Sequence, residues 1–238
     1  MSGRVGGVLR LVAAVVVTVG NAVLVILLIP FDRKGRLYHW VARLWSRMLL
    51  RICGVRVTLL GTEHLVPGQS YIYASNHASM FDIPVVAGTL PDDIRMVYKK
   101  ELEKIPLFGW GLKWGSYIAV DRSRSQDALR SLEEAAAKIR NGASVLLFVE
   151  GTRSQDGALQ PFKRGAFALA VRAGVPVIPL TINGSYHIVP KHSLHIRPGP
   201  VELVLDSPIV LEKVEGRDAE RVLQERVRAS IERHYRAQ

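Results

Sequence analysis

Residues 145–182, VLLFVEGTRSQDGALQPFKRGAFALAVRAGVPVIPLTI, carry the decision about the fold. The five apolar residues at 145–149 are too short for a stable helix and read as a buried strand. A polar loop follows, and Phe162-Lys163-Arg164-Gly165 opens a helix over 165–173 that stops at Gly174. Val175-Pro176 then starts a second strand over 177–182. Strand, loop, helix and strand in this order are the unit of an α/β domain.

The same alternation continues on both sides. Short apolar runs at 55–60, 71–75, 95–98, 117–120 and 201–205 read as further strands. Between 125 and 140, Ala128, Leu129, Leu132, Ala135, Ala136 and Ile139 draw a helical stripe, ended by Asn141-Gly142. The last twenty or so residues, with Val222, Val227 and Ile231 among many charges, read as a solvated surface helix. The expectation is an α/β domain over 55–238, a mixed sheet flanked by helices, with no internal repeat.

Residues 1–54 differ in kind. Residues 1–60 hold nine basic side chains against one acid, Asp32, so they contribute +8 of the chain's +11. Between them lies an uncharged apolar run of 21 residues, 11–31. As a helix it would be about 31 Å long, which matches a ~30 Å hydrocarbon core. Leu37, Trp40, Val41, Leu44, Trp45, Met48, Leu49 and Ile52 follow on one helical face, with Arg36, His39, Arg43, Arg47 and Arg51 opposite. That pattern fits an amphipathic helix lying at a membrane surface, with a core helix that has a solvated basic face as the alternative. A membrane therefore accounts for the basic charge better than a nucleic acid, for which no recognition helix or RNA-binding aromatic motif is present. The basic residues after the run would keep the remainder on the cytoplasmic side, which in a bacterium is the inner-membrane face, with Arg4 and Arg10 before the run pulling the other way and a hairpin that dips in without crossing as the alternative. A single cysteine, Cys53, excludes an internal disulfide framework, and no Cys/His spacing suits a structural metal.

Two strands empty into loops with chemistry. After 71–75 comes Asn76-His77-Ala78-Ser79-Met80-Phe81-Asp82, with Pro84 suited to a first helical turn. Across such a turn a carboxylate at Asp82 can fix the tautomer of His77, leaving its second nitrogen as a general base for a hydroxyl. Asp82 would serve equally as a helix cap. Ser79 is a nucleophile only in name, because it lacks the strained glycine-flanked elbow. After 145–149 comes Glu150-Gly151-Thr152-Arg153-Ser154. Its glycine permits close approach, its hydroxyls hydrogen-bond, and Arg153 offers a fork for phosphate oxygens. Lys163 and Arg164 add charge near a helix start. The phosphate-loop signature of nucleotide triphosphatases is missing.

Asn76-His77 with Asp82, and Phe148-Val149-Glu150-Gly151-Thr152-Arg153-Ser154, resemble the first and third signature blocks of the glycerophospholipid acyltransferases, specifically the 1-acyl-glycerol-3-phosphate acyltransferases. Gly115-Ser116-Tyr117-Ile118-Ala119-Val120-Asp121-Arg122 resembles the second block and Val175-Pro176-Val177-Ile178-Pro179 the fourth. Lys99-Lys100-Glu101-Leu102 with Ile105-Pro106-Leu107-Phe108-Gly109 matches the lead-in to the second, and Pro161-Phe162-Lys163 the tail of the third. The resemblance covers about residues 55–190; Val149 stands where the family usually has proline.

The resemblance implies transfer of a fatty acyl group from a thioester of coenzyme A or acyl carrier protein to a lysophospholipid hydroxyl, giving phosphatidic acid, with no further cofactor or metal. It makes His77 the base and Asp82 its partner. Lys99, Arg122, Glu150, Gly151, Thr152 and Arg153 would hold the glycerophosphate. Pro176 and Pro179 shape a substrate passage or pack at a sheet edge, and the aromatic-rich stretch 105–114 touches lipid, lines an acyl pocket or packs in the core. Other lysolipids, glycerol 3-phosphate or a lipid A type acceptor remain alternatives within the enzyme class. A non-catalytic lipid-binding scaffold is the alternative outside it.

Overall fold

The computed structural model describes residues 3–28, 31, 36–106, 108–114, 117–120, 125–211 and 216–237. Its centre is one seven-stranded sheet, formed by β1 (Val55–Leu60), β2 (Ile72–Ser75), β3 (Ile94–Lys99), β4 (Ile118–Val120), β5 (Ser144–Phe148), β6 (Val177–Asn183) and β7 (Gly199–Leu205). The spatial order is β1-β7-β6-β2-β5-β3-β4. Every neighbouring pair is parallel except β6 with β7, so the sheet is mixed. The helices are α1 (Gly3–Leu28), α2 (Arg36–Cys53), α3 (Asp82–Thr89), α4 (Phe108–Trp114), α5 (Ser125–Arg140), α6 (Arg164–Ala173), α7 (Ser185–Ile188) and α8 (Gly216–His234).

Burial along the strands follows from this order. The inner strands β2 and β6 are buried at every residue, as a sheet covered on both faces requires, whereas β1 and β7 alternate. Tyr71, Tyr73, Leu146, Ile178 and Leu180 point into one core, shared with Val85 and Val86 of α3 and Leu50 and Cys53 of α2. Ile72, Ala74, Val145, Leu147 and Val177 point into the other, shared with α5, α6 and α8. The period of two thus divides each strand between two helical layers.

α8 departs from the expected solvated helix. Ala219, Leu223, Val227 and Ile231 are fully buried, and α8 packs against α6 and β6. Their spacing of four is a core stripe that the surrounding charges obscured.

α1 is long and apolar enough to cross a membrane over Val5–Leu28, and it leaves most of that surface exposed, as is consistent with membrane association. It also packs along α2 and α4, where Trp45 Nε1 donates to Thr18 Oγ1 at 3.1 Å.

The apolar face expected for α2 is split in two. Val41, Ala42, Leu49, Leu50 and Cys53 are buried, while Trp40, Leu44 and Met48 stand exposed at 58%, 41% and 43%. His39, expected on the basic face, is buried and lies 3.0 Å from Asp93. α2 and α3 approach closely at Gly88, where a side-chain carbon would meet Leu50 at 3.2 Å and Ser46 at 3.3 Å. Arg47 Nε donates to Gly88 O at 3.0 Å across this contact. The stretch 105–114 becomes α4 for most of its length, with Leu112 buried and Trp110 exposed.

Candidate active site

The site forms at the carboxyl edge of the parallel strands, where chains leave the sheet together. Beyond β2, Asn76 is buried; its Nδ2 donates to Ile182 O at 2.9 Å and its Oδ1 accepts from Ile182 N at 2.8 Å. The amide thus imitates a strand residue against β6 and sets the direction in which His77 departs. The His77 ring stacks on Phe148 of β5, with centroids 3.8 Å apart and planes at 13°.

His77 Nδ1 lies 2.7 Å from Asp82 Oδ2. Asp82 is fully buried, and the same oxygen accepts from Ala78 N at 2.8 Å and Ser79 N at 2.9 Å. An ionised carboxylate only accepts, so Nδ1 carries the proton and Nε2 keeps its lone pair. The ring is 15% exposed, which leaves an edge for a substrate. Asp82 does not act as a cap. The cap residue of α3 is Phe81, and the Asp82 carboxylate bonds backward onto 77–79 rather than forward into its helix. Ser79 is buried with its hydroxyl donated to Val189 O at 3.0 Å, so it offers no nucleophile.

The second loop clasps the first. Glu150 Oε1 accepts from His77 N at 2.9 Å, and Ser154 N donates to His77 O at 2.8 Å, so both main-chain groups of His77 are held from one side. Glu150 Oε2 accepts from Gln160 N at 3.1 Å. Glu150 is 1% exposed, and both of its carboxyl oxygens are taken by main-chain amides beneath the loop. Burial pushes it up to about 7, the His77 and Gln160 amides oppose the rise, and the nearby Asp82 charge adds to it. Gly151 turns the chain at φ 72°, in the left-handed region that favours glycine.

Thr152 is exposed and Arg153 half-buried, and among the described residues no hydrogen bond or ion pair engages the Arg153 guanidinium. Lys163 is also exposed, but Arg164 is bound to Glu220 at 2.6 Å and is not free to serve the site. Val149, the departure from proline, uses the N–H that proline lacks to donate to Ser75 O at 3.0 Å, which extends the β2–β5 ladder by one bond.

Lys99 closes β3 at the same sheet edge, paired in register with Val120; its side chain, and Arg122 altogether, lie outside the described residues. Pro179 is not at a sheet edge. It sits in β6 beside the gap between the β7 ladder, which begins at Leu180, and the bridge from Val177 to Ile209. Three contributors were missed by sequence reasoning: Phe148 under the imidazole, the Gln160 amide on Glu150, and Lys191. The Lys191 Nζ reaches Arg153 O at 3.1 Å and Thr152 Oγ1 at 3.4 Å from 38 and 39 residues away. Nothing local marks any of the three.

The sequence model of the acyltransferase family matches residues 56–183. The 1-acyl-sn-glycerol-3-phosphate acyltransferase of Cocos nucifera is 34% identical over 199 residues, covering 82% of this chain and 63% of that protein. The protein of that name from Pseudomonas aeruginosa is 32% identical over 209 residues, covering 86% and 79%. The chain spans only 63% and 59% of the lengths of the coconut and Brassica napus relatives. The crystal structure of the 1-acyl-sn-glycerophosphate (LPA) acyltransferase PlsC from Thermotoga maritima superposes with a TM-score of 0.81 at 25% identity, over 98% of this chain and 96% of that one. With the matched region holding both loops that build the His77–Asp82 site, the chain belongs to the acyltransferase family.

Proposed function

We propose that this protein transfers a fatty acyl group from a thioester of coenzyme A or acyl carrier protein to the free hydroxyl of 1-acyl-glycerol-3-phosphate, giving phosphatidic acid. The observation that carries the reading is the His77–Asp82 pair, with Nδ1 committed to the carboxylate and Nε2 left as a base. An alcohol is a weak nucleophile near neutral pH, and a positioned base accelerates its attack by roughly 10² to 10⁴. His77 Nε2 takes the hydroxyl proton as the oxygen bonds to the thioester carbon. The buried Asp82 stabilises the imidazolium so formed. The tetrahedral intermediate expels the thiolate, which takes the proton back from Nε2, and ester and free thiol leave. No bond to the protein forms at any stage.

Thr152 and Arg153 hold the acceptor phosphate, and Gly151 supplies the turn that presents them. Lys99 at the end of β3, and Arg122, two residues beyond Val120 in the sequence, serve as further cations. Glu150 acts through His77, holding its loop in place. Residues 1–54 serve the membrane and 55–238 the chemistry, with the catalytic part facing the cytoplasm. The exposed apolar surface of α1 and the Trp40, Leu44 and Met48 stripe of α2 support this division, since acceptor and product both reside in a bilayer.

The test is mass spectrometry of products after purified protein in vesicles is offered 1-acyl-glycerol-3-phosphate, other lysolipids and glycerol 3-phosphate, each with both acyl donors. Phosphatidic acid as the dominant product is expected. Acylation of another acceptor at equal or greater rate, or none with any, overturns the reading.

A further inference from the structure

The segment from Tyr186 to Lys191 is tied to both loops of the site. Ser79, between His77 and Asp82, donates its hydroxyl to Val189 O at 3.0 Å, and Tyr186 OH donates to Gln155 O at 3.0 Å. Two residues beyond Val189, the Lys191 ammonium donates to Arg153 O at 3.1 Å and lies 3.4 Å from Thr152 Oγ1. An ammonium has three protons to donate, and both of these partners are neutral. Among the described residues no carboxylate pairs with Lys191, and none pairs with the Arg153 guanidinium. Lys191 thus adds a second cationic side chain to the loop that carries Arg153, each without a counter-ion among the described residues, and an anion seated there would be attracted by both.

We propose that Lys191 is a further acceptor-binding residue, which together with Arg153 makes the site select a phosphate monoester over a substituted phosphate; the inference rests on the acceptor reading above. A monoester is close to a dianion at neutral pH and carries three terminal oxygens. It can satisfy the spare ammonium proton, the Thr152 hydroxyl and the Arg153 fork together. A diester headgroup brings one negative charge and two such oxygens, and it leaves one cation unmatched. Lys191 does not touch the reacting hydroxyl, so its effect falls on acceptor KM and on headgroup choice.

The experiment compares wild type, Lys191→Arg and Lys191→Gln. Kinetics are measured on 1-acyl-glycerol-3-phosphate and on 1-acyl-glycerophosphoglycerol at saturating acyl-CoA, then on acyl-CoA at saturating acceptor. Lys191→Gln keeps a donor for Arg153 O but has no charge. It is expected to raise KM for the monoester about 10- to 100-fold, the range of a lost charge-assisted hydrogen bond. KM for acyl-CoA is expected to stay within about 2-fold, and the preference for monoester over diester to fall at least tenfold. Lys191→Arg restores most of both. Glycerol 3-phosphate, as a competitive probe, should lose potency against Lys191→Gln in parallel. Unchanged acceptor KM in Lys191→Gln, or KM rising equally for both substrates as the melting temperature drops, means that Lys191 merely fastens the loop, and overturns the proposal. Failure of the acceptor reading is separately visible, because wild type would then not turn over the monoester.

Discussion

Replacing Asp82 by Asn tests the base assignment against the surroundings of one oxygen. Asp82 Oδ2 accepts from His77 Nδ1, Ala78 N and Ser79 N, while Oδ1 is buried with no hydrogen-bond partner among the described residues. An asparagine that turned its NH₂ toward these three donors would leave two buried backbone N–H groups unpaired, at a cost of about 1–3 kcal/mol each. Its oxygen therefore stays at the Oδ2 position, facing the imidazole, and the tautomer of His77 is kept. What disappears is the charge that stabilises the imidazolium. At about 4 Å and an effective dielectric constant of about 20, that interaction is worth at most about 4 kcal/mol. The predicted loss in kcat is about 10²- to 10³-fold. This is smaller than the roughly 10⁴ lost when the same change is made in a serine protease triad, where the imidazole is left in the wrong tautomer. Asp82→Ala removes the acceptor of all three bonds, so it should also cost about 2–4 kcal/mol of stability. Thermal melting and thiol release from acyl-CoA, measured on one preparation with His77→Ala as the inactive reference, check both parts. Asp82→Asn retaining more than about half the wild-type rate, while His77→Ala is dead, would refute the dyad.

If Arg153 holds the acceptor phosphate as proposed, Arg153→Ala is expected to raise acceptor KM at least tenfold with little change for acyl-CoA, since among the described residues no partner engages its guanidinium; equal losses in initial-rate measurements on both substrates would count against it. Glu150 makes stability pH-dependent. Because its folded-state value of about 7 lies above the ordinary 4.5, the folded protein binds this proton more tightly than the unfolded chain. The contribution is complete below about pH 4.5 and is lost as pH rises through about 7. Wild-type melting temperature should thus fall more steeply from pH 5 to pH 8 than that of Glu150→Gln, and parallel curves would place the ionisation elsewhere. Leu44→Glu combined with Met48→Glu charges an exposed stripe of α2, so, with α1 still holding the chain on the vesicle, acylation of vesicle-borne acceptor should drop about tenfold while the melting temperature barely moves; unchanged activity on vesicles would remove α2 from the membrane contact.

All seven strands and the helices over 125–140 and 165–173 were legible in the sequence, within a residue or two. Strand and helix periods are local properties, and Gly174 and Asn141-Gly142 punctuate them locally. His77 and Asp82 were legible for the same reason, being only five residues apart across one turn. The sharing of α2 between core and exterior was not. Both of its sectors are apolar, and only the position of α3 against Gly88 decides which is covered. The stripe of α8 was obscured similarly, because its charges outnumber the four residues that meet the sheet layer.

Which side chains have the chemistry is written along the chain: an imidazole, a carboxylate nearby, and a loop carrying Thr152 and Arg153. Tertiary structure alone decided how they are used. It turned Glu150 inward onto the His77 amide across a separation of 73 residues, slid Phe148 beneath the imidazole, and brought Lys191 over the Arg153 carbonyl. Periodicity records which face a residue presents to its own helix or strand. The identity of the partner depends on the order β6-β2-β5, which sets the ends of three distant segments side by side at one sheet edge.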